Sequence, residues 1–535
     1  MFVKKIAIIT SIVAACTAAG VASYFIYRSH SAATRQERLK ELRQEAVRYE
    51  VHAKKFYQAG DFARAKQAYR EALAREPRLY TAYCGLGIIA EDHEHNAAAA
   101  LNFYKKVLAI NPRHIQTYLR ISDLFEREGL HEKAHAVKKY AFALDARQAS
   151  FYEGQNHYWN GKLEEALACY QKALDMTPEN NSVGRATILS KMGTIYEKQN
   201  KTQDSYNVYR QAVALCPERE EMHTALSCAY LAMGDYKHWA QEYEWRLQGA
   251  SWQSNLWQQP THAKLLNGTD SLQGKTVLLT CENGYGDMIQ FIRFAPGLIK
   301  RGAQLVASVQ KPLIPLFSRL DYLSKVVPFG SPFPPHDYVV PIQSLPLHCN
   351  ATITNLPKPP YLTVEDSLKD QWKTKLASDK NVKIGLCWQT PHDHVAIPQS
   401  RRALDPSFVT PLFSVPGVSF YSLQLDPIST TMKQLGLKSL GDSFDKDHGA
   451  FIDSAAVIHA LDLVITVDTS LAHLAGAFNR PVWVMLPLAA DVRWMIGKKE
   501  TPWYPSMKLF RQKTVGDWRP VIEEIKKELE KKVKA

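Results

Sequence analysis

A chain of 535 residues is too long for one ordinary hydrophobic core, so two or three domains are the starting expectation. Its hydrophobic fraction of 46% excludes a disordered chain. The formal charge of +13 is basic, but Lys and Arg are interspersed with acidic residues and form no aromatic-basic platform, which argues against a nucleic-acid partner. Cysteines 16, 84, 169, 216, 228, 281, 349 and 387 never fall at CxxC spacing or in a ligand-like cluster. That is the pattern of reduced thiols rather than of a disulfide framework or a zinc site.

Residues 6–27 are uncharged and rich in Ile, Val and Ala, and they approach the ~20 residues a helix needs to cross a bilayer. Lys4 and Lys5 precede the stretch, while Arg28, Arg35, Arg38, Lys40 and Arg43 follow it, so the positive-inside rule leaves the C-terminal flank in the cytoplasm. The expectation is a membrane anchor over residues 1–28, single-pass in the inner membrane, with everything after it cytoplasmic. A competing reading is a cleaved or lipidated signal, because Val13-Ala14-Ala15-Cys16 resembles a lipoprotein processing box. A signal's apolar core is normally shorter and is not continued by Val21 and Tyr24-Phe25-Ile26-Tyr27.

Residues 29–250 read as a helical repeat array of about six units. Ala53, Phe56, Gly60, Ala65, Tyr69, Ala72 and Pro77 recur in kind as Gly154, Gly161, Ala166, Tyr170, Ala173 and Pro178, and again as Gly193, Tyr196, Tyr209, Ala212 and Pro217. Prolines at 77, 112, 178 and 217 are separated by 35, 66 and 39 residues, near one, two and one periods of about 34. Small residues let paired helices approach, aromatics fill the gap to the next pair, and Pro ends the second helix. This grammar resembles the tetratricopeptide repeat family. The resemblance implies an α-solenoid whose concave face holds a protein or peptide, although most of the same residues are core.

Past Trp252, Trp257 and Pro260 the repeats stop, and short apolar runs alternate with helical stretches. The runs are 276–280, 304–309, 338–342, 383–388, 419–423, 463–467 and 481–486, an alternation that predicts parallel sheets with crossover helices. The length allows two Rossmann-like halves, 251–365 and 366–535, divided in a Pro-rich polar stretch, with a ligand cleft at the carboxyl ends of the strands. Two segments fit that place. Glu282-Asn283-Gly284-Tyr285-Gly286-Asp287 follows a strand and opens a helix, so its glycines permit a tight turn and Asp287 is either a helix cap or a carboxylate facing the cleft. Asp468-Thr469-Ser470-Leu471-Ala472-His473-Leu474-Ala475-Gly476 again runs from strand into helix, where free N–H groups and the helix dipole suit a diphosphate unless Asp468 or Thr469 simply caps it.

At these residues the sequence resembles bacterial glycosyltransferases that join tetratricopeptide repeats to a heptosyltransferase-like domain of the GT-B, family 9-like type. Gly286-Asp287 corresponds to that family's glycine-aspartate motif and Asp468 through Ala477 to its Asp-Thr-x-x-x-His-Leu-Ala motif. Lys383 through Trp388, Tyr421-Ser422-Leu423-Gln424 and Pro502-Trp503-Tyr504-Pro505 agree as well. The plan is also similar to eukaryotic O-linked N-acetylglucosamine transferases, without a motif favouring them. With the transmembrane helix read from residues 6–27, the resemblance implies an α-solenoid followed by a GT-B fold, in one α plus α/β chain.

Its implied activity is inverting, metal-independent sugar transfer from a nucleoside diphosphate-sugar co-substrate, without a cofactor. Asp287 would be the catalytic base, with Glu282, Asn283, Gly284 and Gly286 in the acceptor-side loop. Asp468, Thr469, Ser470, His473 and Gly476 would bind the donor. Arg401 and Arg402 are the cationic candidates for the leaving diphosphate, a solvated basic pair being the plainer reading. Gln389-Thr390-Pro391 departs from the glycine-bearing turn usual there. His392-Asp393-His394 lacks a third ligand and reads as polar loop, so no metal site is expected. The competing function is a repeat scaffold carrying a silent glycosyltransferase fold.

Overall fold

The computed structural model describes residues 36–249, 264–282, 284–390 and 397–534. The expected anchor at residues 6–27, Asn283, and the loop holding His392, Asp393 and His394 lie outside the described residues. No described helix is long and apolar enough to cross a membrane. The chain divides into two compact units, Met1–Tyr152 and Glu153–Ala535.

The first unit is helical. Helix 36–58 precedes Phe62–Arg75, then come the pairs Tyr80–Asp92 with Ala97–Ile110 and Ile115–Arg127 with His131–Leu144. Glycine is demanded where helices cross: a Cβ on Gly87 would lie 2.4 Å from the ring of Tyr104. Tyr104 and the alanines Ala65, Ala72, Ala82 and Ala100 are fully or almost fully buried, as the small-aromatic grammar requires. Glu91, buried among these helices, is satisfied by Arg120 at 3.1 Å and by Arg127 and the Tyr104 hydroxyl.

In the second unit the repeats continue through Leu163–Asp175, Ser182–Lys198, Thr202–Leu215, Glu220–Met233 and Tyr236–Tyr243. Gly193 repeats the same close approach, for a Cβ there would stand 2.3 Å from the ring of Tyr209. Two sheets follow. The first contains β1 (Lys264–Leu265), β2 (Thr276–Thr280), β3 (Gln304–Val309), β4 (Leu323–Pro328) and β5 (Tyr338–Pro341) in the order β1-β5-β2-β3-β4, all parallel. The second contains β6 (Val382–Cys387), β7 (Val418–Ser422), β8 (Leu463–Val467), β9 (Val482–Leu486), β10 (Glu500–Thr501) and β11 (Tyr504–Arg511) in the order β10-β11-β9-β8-β6-β7. It is parallel except for the short β10–β11 pair.

Strands β1, β4, β10 and β11 are absent from the apolar runs that the sequence displays. β4 is an outer strand whose Ser324 and Lys325 face solvent, and β11 begins with Tyr504-Pro505 and alternates buried with exposed positions. Neither shows the continuous apolar run of a strand covered on both faces. The Pro-rich stretch between the sheets contains helix Asp366–Leu376, whose Trp372 donates its indole N–H to Asp453 at 3.0 Å.

Strand order places the functional segments. In the first sheet the connection reverses between β2 and β5, and in the second between β6 and β8. Loops leaving adjacent parallel strands in opposite directions open a crevice at such a point. The Asp287 segment leaves β2 and the Asp468 segment leaves β8, so each lies at its sheet's switch point.

The last repeat helix shares one apolar core with both sheets, through Tyr236, Trp239, Phe291, Leu345 and Trp503. A buried ion pair locks this junction. Arg246, just past that helix, reaches both carboxylate oxygens of Glu282 at 2.9 Å and the Ser344 hydroxyl at 2.9 Å. Both side chains are nearly buried, at 11% and 7% exposure. Removing one partner strands the other charge, so Arg246→Ala is expected to cost about 3–5 kcal/mol by denaturant unfolding. Arg246→Met combined with Glu282→Gln should recover much of that loss, and an unchanged midpoint for the single variant would deny the pair any structural weight.

Candidate active site

Asp287 occupies the first turn of helix Tyr285–Phe291 and is 8% exposed. Its Oδ2 accepts the backbone N–H of Gly284 at 3.0 Å, an interaction that fixes the carboxylate and caps the helix. The other oxygen, Oδ1, lies 2.8 Å from Nη1 of Arg493. That contact is an ion pair without hydrogen-bond geometry, since Oδ1 is buried and has no hydrogen-bond partner among the described residues. The Nη1 N–H is directed instead to Gln290 Oε1 at 2.9 Å.

Arg493 comes from the segment after β9, in the second sheet. Asp491 holds its Nε at 3.0 Å and accepts its backbone N–H at 2.9 Å. Burial opposes the Arg493 charge, but Asp491, Asp287 and Asp468 outweigh it and hold the guanidinium protonated well above its ordinary range. Asp491 is in turn held down to about 2, burial being overcome by Arg493. Asp468 moves the other way: burial and the negative charge of Asp491 raise it, while Arg493 and Arg402 pull it back.

The two sequence motifs meet directly. His473, in helix Ser470–Ala477 and 3% exposed, packs its ring edge on Gly286, where a Cβ would come within 2.7 Å of His473 Cδ2. Its Nδ1 is hydrogen-bonded to the Tyr504 hydroxyl at 2.9 Å, and its ring stacks on Trp494 at 5.3 Å. Arg293 binds the same region from the first sheet's side, donating to the Trp503 carbonyl at 2.7 Å and the Tyr361 hydroxyl at 2.9 Å while lying over the Tyr504 ring at 4.6 Å.

The remaining expected residues are dispersed. Thr469 precedes the helix Ser470–Ala477 with no side-chain cap, its hydroxyl 3.1 Å from that of Thr466, and both Thr469 and Ser470 are half-buried at the helix start. Arg402 donates to the Asp468 carbonyl at 3.0 Å, while Arg401 beside it is exposed. Gly476 and Glu282 face elsewhere. A Cβ on Gly476 would meet the Tyr504 ring at 2.5 Å, so that glycine serves packing, and Glu282 is engaged by Arg246. Gly284 is exposed at the turn. Among the described residues no three His, Cys, Asp or Glu side chains cluster as a metal site.

Sequence reasoning missed Arg493, Asp491, Gln290 and Arg293. A signal for the first two existed: Asp491-Val492-Arg493-Trp494 follows an apolar strand at its carboxyl end, as both recognised motifs do. Gln290 and Arg293 carry no such mark, being polar residues inside a helical stretch.

Residues 51–115 and 148–218 match tetratricopeptide repeat families. Across 532 aligned residues the chain is 24% identical to Protein FlbA of Caulobacter vibrioides, covering 87% of this chain and 86% of that one. Among solved structures it is similar to a glycosyl transferase family 9 protein from Veillonella parvula, at 12% identity and TM-score 0.35, over 49% of this chain and 92% of that one. It is similar also to the E. coli ADP-heptose lps heptosyltransferase II, at 16% identity and TM-score 0.35, over 49% of this chain and all of that one, 100%. The repeats of this chain belong to the tetratricopeptide repeat family.

Two outcomes test the site's packing. Burial lowers the His473 proton affinity well below the usual value near 6.5, with Arg493 adding to it. The folded chain thus excludes a proton that the unfolded chain binds, and stability falls as pH drops below about 6.5, by up to about 1.4 kcal/mol per pH unit. His473→Gln should flatten this slope by close to one proton between pH 6.5 and 5, measured by urea unfolding. Gly286→Ala should destabilise by about 1–3 kcal/mol because its methyl group overlaps the imidazole.

Proposed function

We propose that this protein is a glycosyltransferase with a GT-B arrangement, moving a sugar from a nucleoside diphosphate donor to a protein or glycan acceptor presented near its repeats. The observation carrying this reading is the meeting of the two switch-point motifs, with Asp287 from one sheet and the Asp468–His473 helix start from the other joined through Gly286, His473 and Arg493. Asp287 has the features of a proton acceptor: one oxygen held by Gly284 and the other buried without a hydrogen bond. The helix start at Thr469 and Ser470 offers backbone N–H groups and the positive end of a dipole to a diphosphate.

In this mechanism Asp287 removes the acceptor hydroxyl proton as the oxygen attacks the anomeric carbon from the face opposite the diphosphate. The C–O bond to the diphosphate breaks, and its electron pair leaves with that group toward the Thr469 helix start and Arg402. Configuration inverts in one displacement, and the transfer requires no metal or cofactor. The repeats bring the acceptor by holding a protein or peptide, and residues 6–27 anchor the enzyme in the inner membrane with its active site in the cytoplasm, where nucleotide sugars are available.

Incubation with a panel of nucleotide sugars and lysate acceptors should release free nucleoside diphosphate. Asp287→Asn preserves size and capping but should lower kcat by roughly two to four orders of magnitude, with a lower melting temperature as well, because it removes a carboxylate facing the buried Arg493. Normal turnover by that variant with an earlier melt would make Asp287 a helix cap and leave a repeat scaffold as the function.

A further inference from the structure

Arg493 is tied to both halves of the site. Its Nη1 contacts Asp287 Oδ1 at 2.8 Å and donates to Gln290 Oε1 at 2.9 Å, both on helix Tyr285–Phe291. Its Nε and backbone N–H are held by Asp491, so the guanidinium plane is fixed from its own loop as well. The carboxylate it faces is pinned at the opposite oxygen by Gly284. Two restraints on two different oxygens determine the carboxylate's rotation, which a single cap bond would leave free.

The loop that carries Arg493 is itself seated on the repeats. Three intra-repeat turns, at Gly161, Asn200 and Gly234, take left-handed backbone conformations with φ of 75°, 60° and 81°. Each abuts the second sheet's loops. Gln399 donates to the Gly161 carbonyl at 2.5 Å and accepts the Ala489 N–H at 2.8 Å through its own carbonyl. Asn200 donates to the Leu488 carbonyl at 3.1 Å, and a Cβ on Gly234 would stand 3.1 Å from Met495. Segment 488–495 is thus held at both ends, with Arg493 between them.

From this geometry we propose that Arg493 is the positioning residue of Asp287, orienting Oδ1 toward the acceptor hydroxyl from a loop whose place the repeat turns set. This rests on the reading of Asp287 as the base. In the transfer step the hydroxyl proton passes to Oδ1, the acceptor oxygen bonds to the anomeric carbon, and the diphosphate departs with the electron pair of the broken C–O bond. Arg493 neither gives nor takes a proton in that step; it keeps Oδ1 in line with the hydroxyl.

The test is steady-state kinetics of the full chain with the nucleotide sugar that supports diphosphate release. Arg493→Gln should lower kcat roughly 10- to 100-fold while donor KM stays within about threefold, the signature of misaligned chemistry rather than lost binding. Arg493→Lys keeps the charge and loses the fork, so its kcat should fall between those of the unaltered chain and Arg493→Gln. If Arg493→Gln does not fold, the lysine variant carries the same test, since its kcat must fall without a rise in KM. A donor KM that rises while kcat holds would assign the guanidinium to the donor diphosphate and overturn the proposal, as would unchanged kinetics. Asp287→Asn separates the two levels: full turnover by that variant removes the base reading itself, whereas an inactive Asp287→Asn beside a fully active Arg493→Gln removes only the role of Arg493.

Discussion

Charged groups withdrawn from water are stable only when their partners are brought to them, and in the second unit those partners come from distant parts of the chain. Arg246 at the end of the repeats needs Glu282 after β2, Arg493 after β9 needs Asp287 after β2, and Arg293 needs the Trp503 carbonyl and Tyr361 hydroxyl. Each guanidinium crosses from one layer to another. An apolar core tolerates small sliding of its layers, but these pairs do not, because a shift of an ångström or two would leave a desolvated charge unmatched. The arrangement of the last repeats, first sheet and second sheet therefore follows from a few arginines as much as from the shared core around Trp239, Phe291 and Trp503.

The same constraint explains why the repeats and sheets pack in one compact unit from Glu153 onward. Intra-repeat turns are ordinarily solvent-facing, yet Gly161, Asn200 and Gly234 meet Gln399, Leu488 and Met495. Left-handed backbone at these positions lets the turns approach closely, which glycine permits and asparagine tolerates. In the first unit the equivalent turn at Gly129 has open space where a Cβ would lie. The repeats thus perform two physical tasks with one grammar, since the turns that merely close a helix pair in one place form a seat for loops in another.

Much of this was legible in the chain. The small-aromatic periodicity around Tyr69, Tyr170 and Tyr209 identifies helix pairs because their crossings leave room for glycine or alanine and nothing larger. The runs that form β2, β3, β5, β6, β7, β8 and β9 are readable because strands covered on both faces are continuously apolar. Asp287 and the Asp468 segment stand out because each follows such a strand and opens a helix. Strands β4 and β11 escape, since exposed positions interrupt their apolar runs, and Tyr504 is visible as part of a motif but not as the partner of His473.

By itself, then, the sequence determined the helical repeats, the alternation of strand and helix, and the two segments that leave strands at their carboxyl ends, because these follow from local periodicity and turn chemistry. Only the tertiary structure decided that Gly286 lies under the imidazole of His473, that Arg493 faces Asp287, that Glu282 belongs to Arg246, and that Gly476 packs against Tyr504. Those relations join residues as many as about two hundred positions apart. No local pattern encodes them, because the strand order that places β2 beside β5 and β6 beside β8 is set by how whole layers bury their surfaces and match their buried charges.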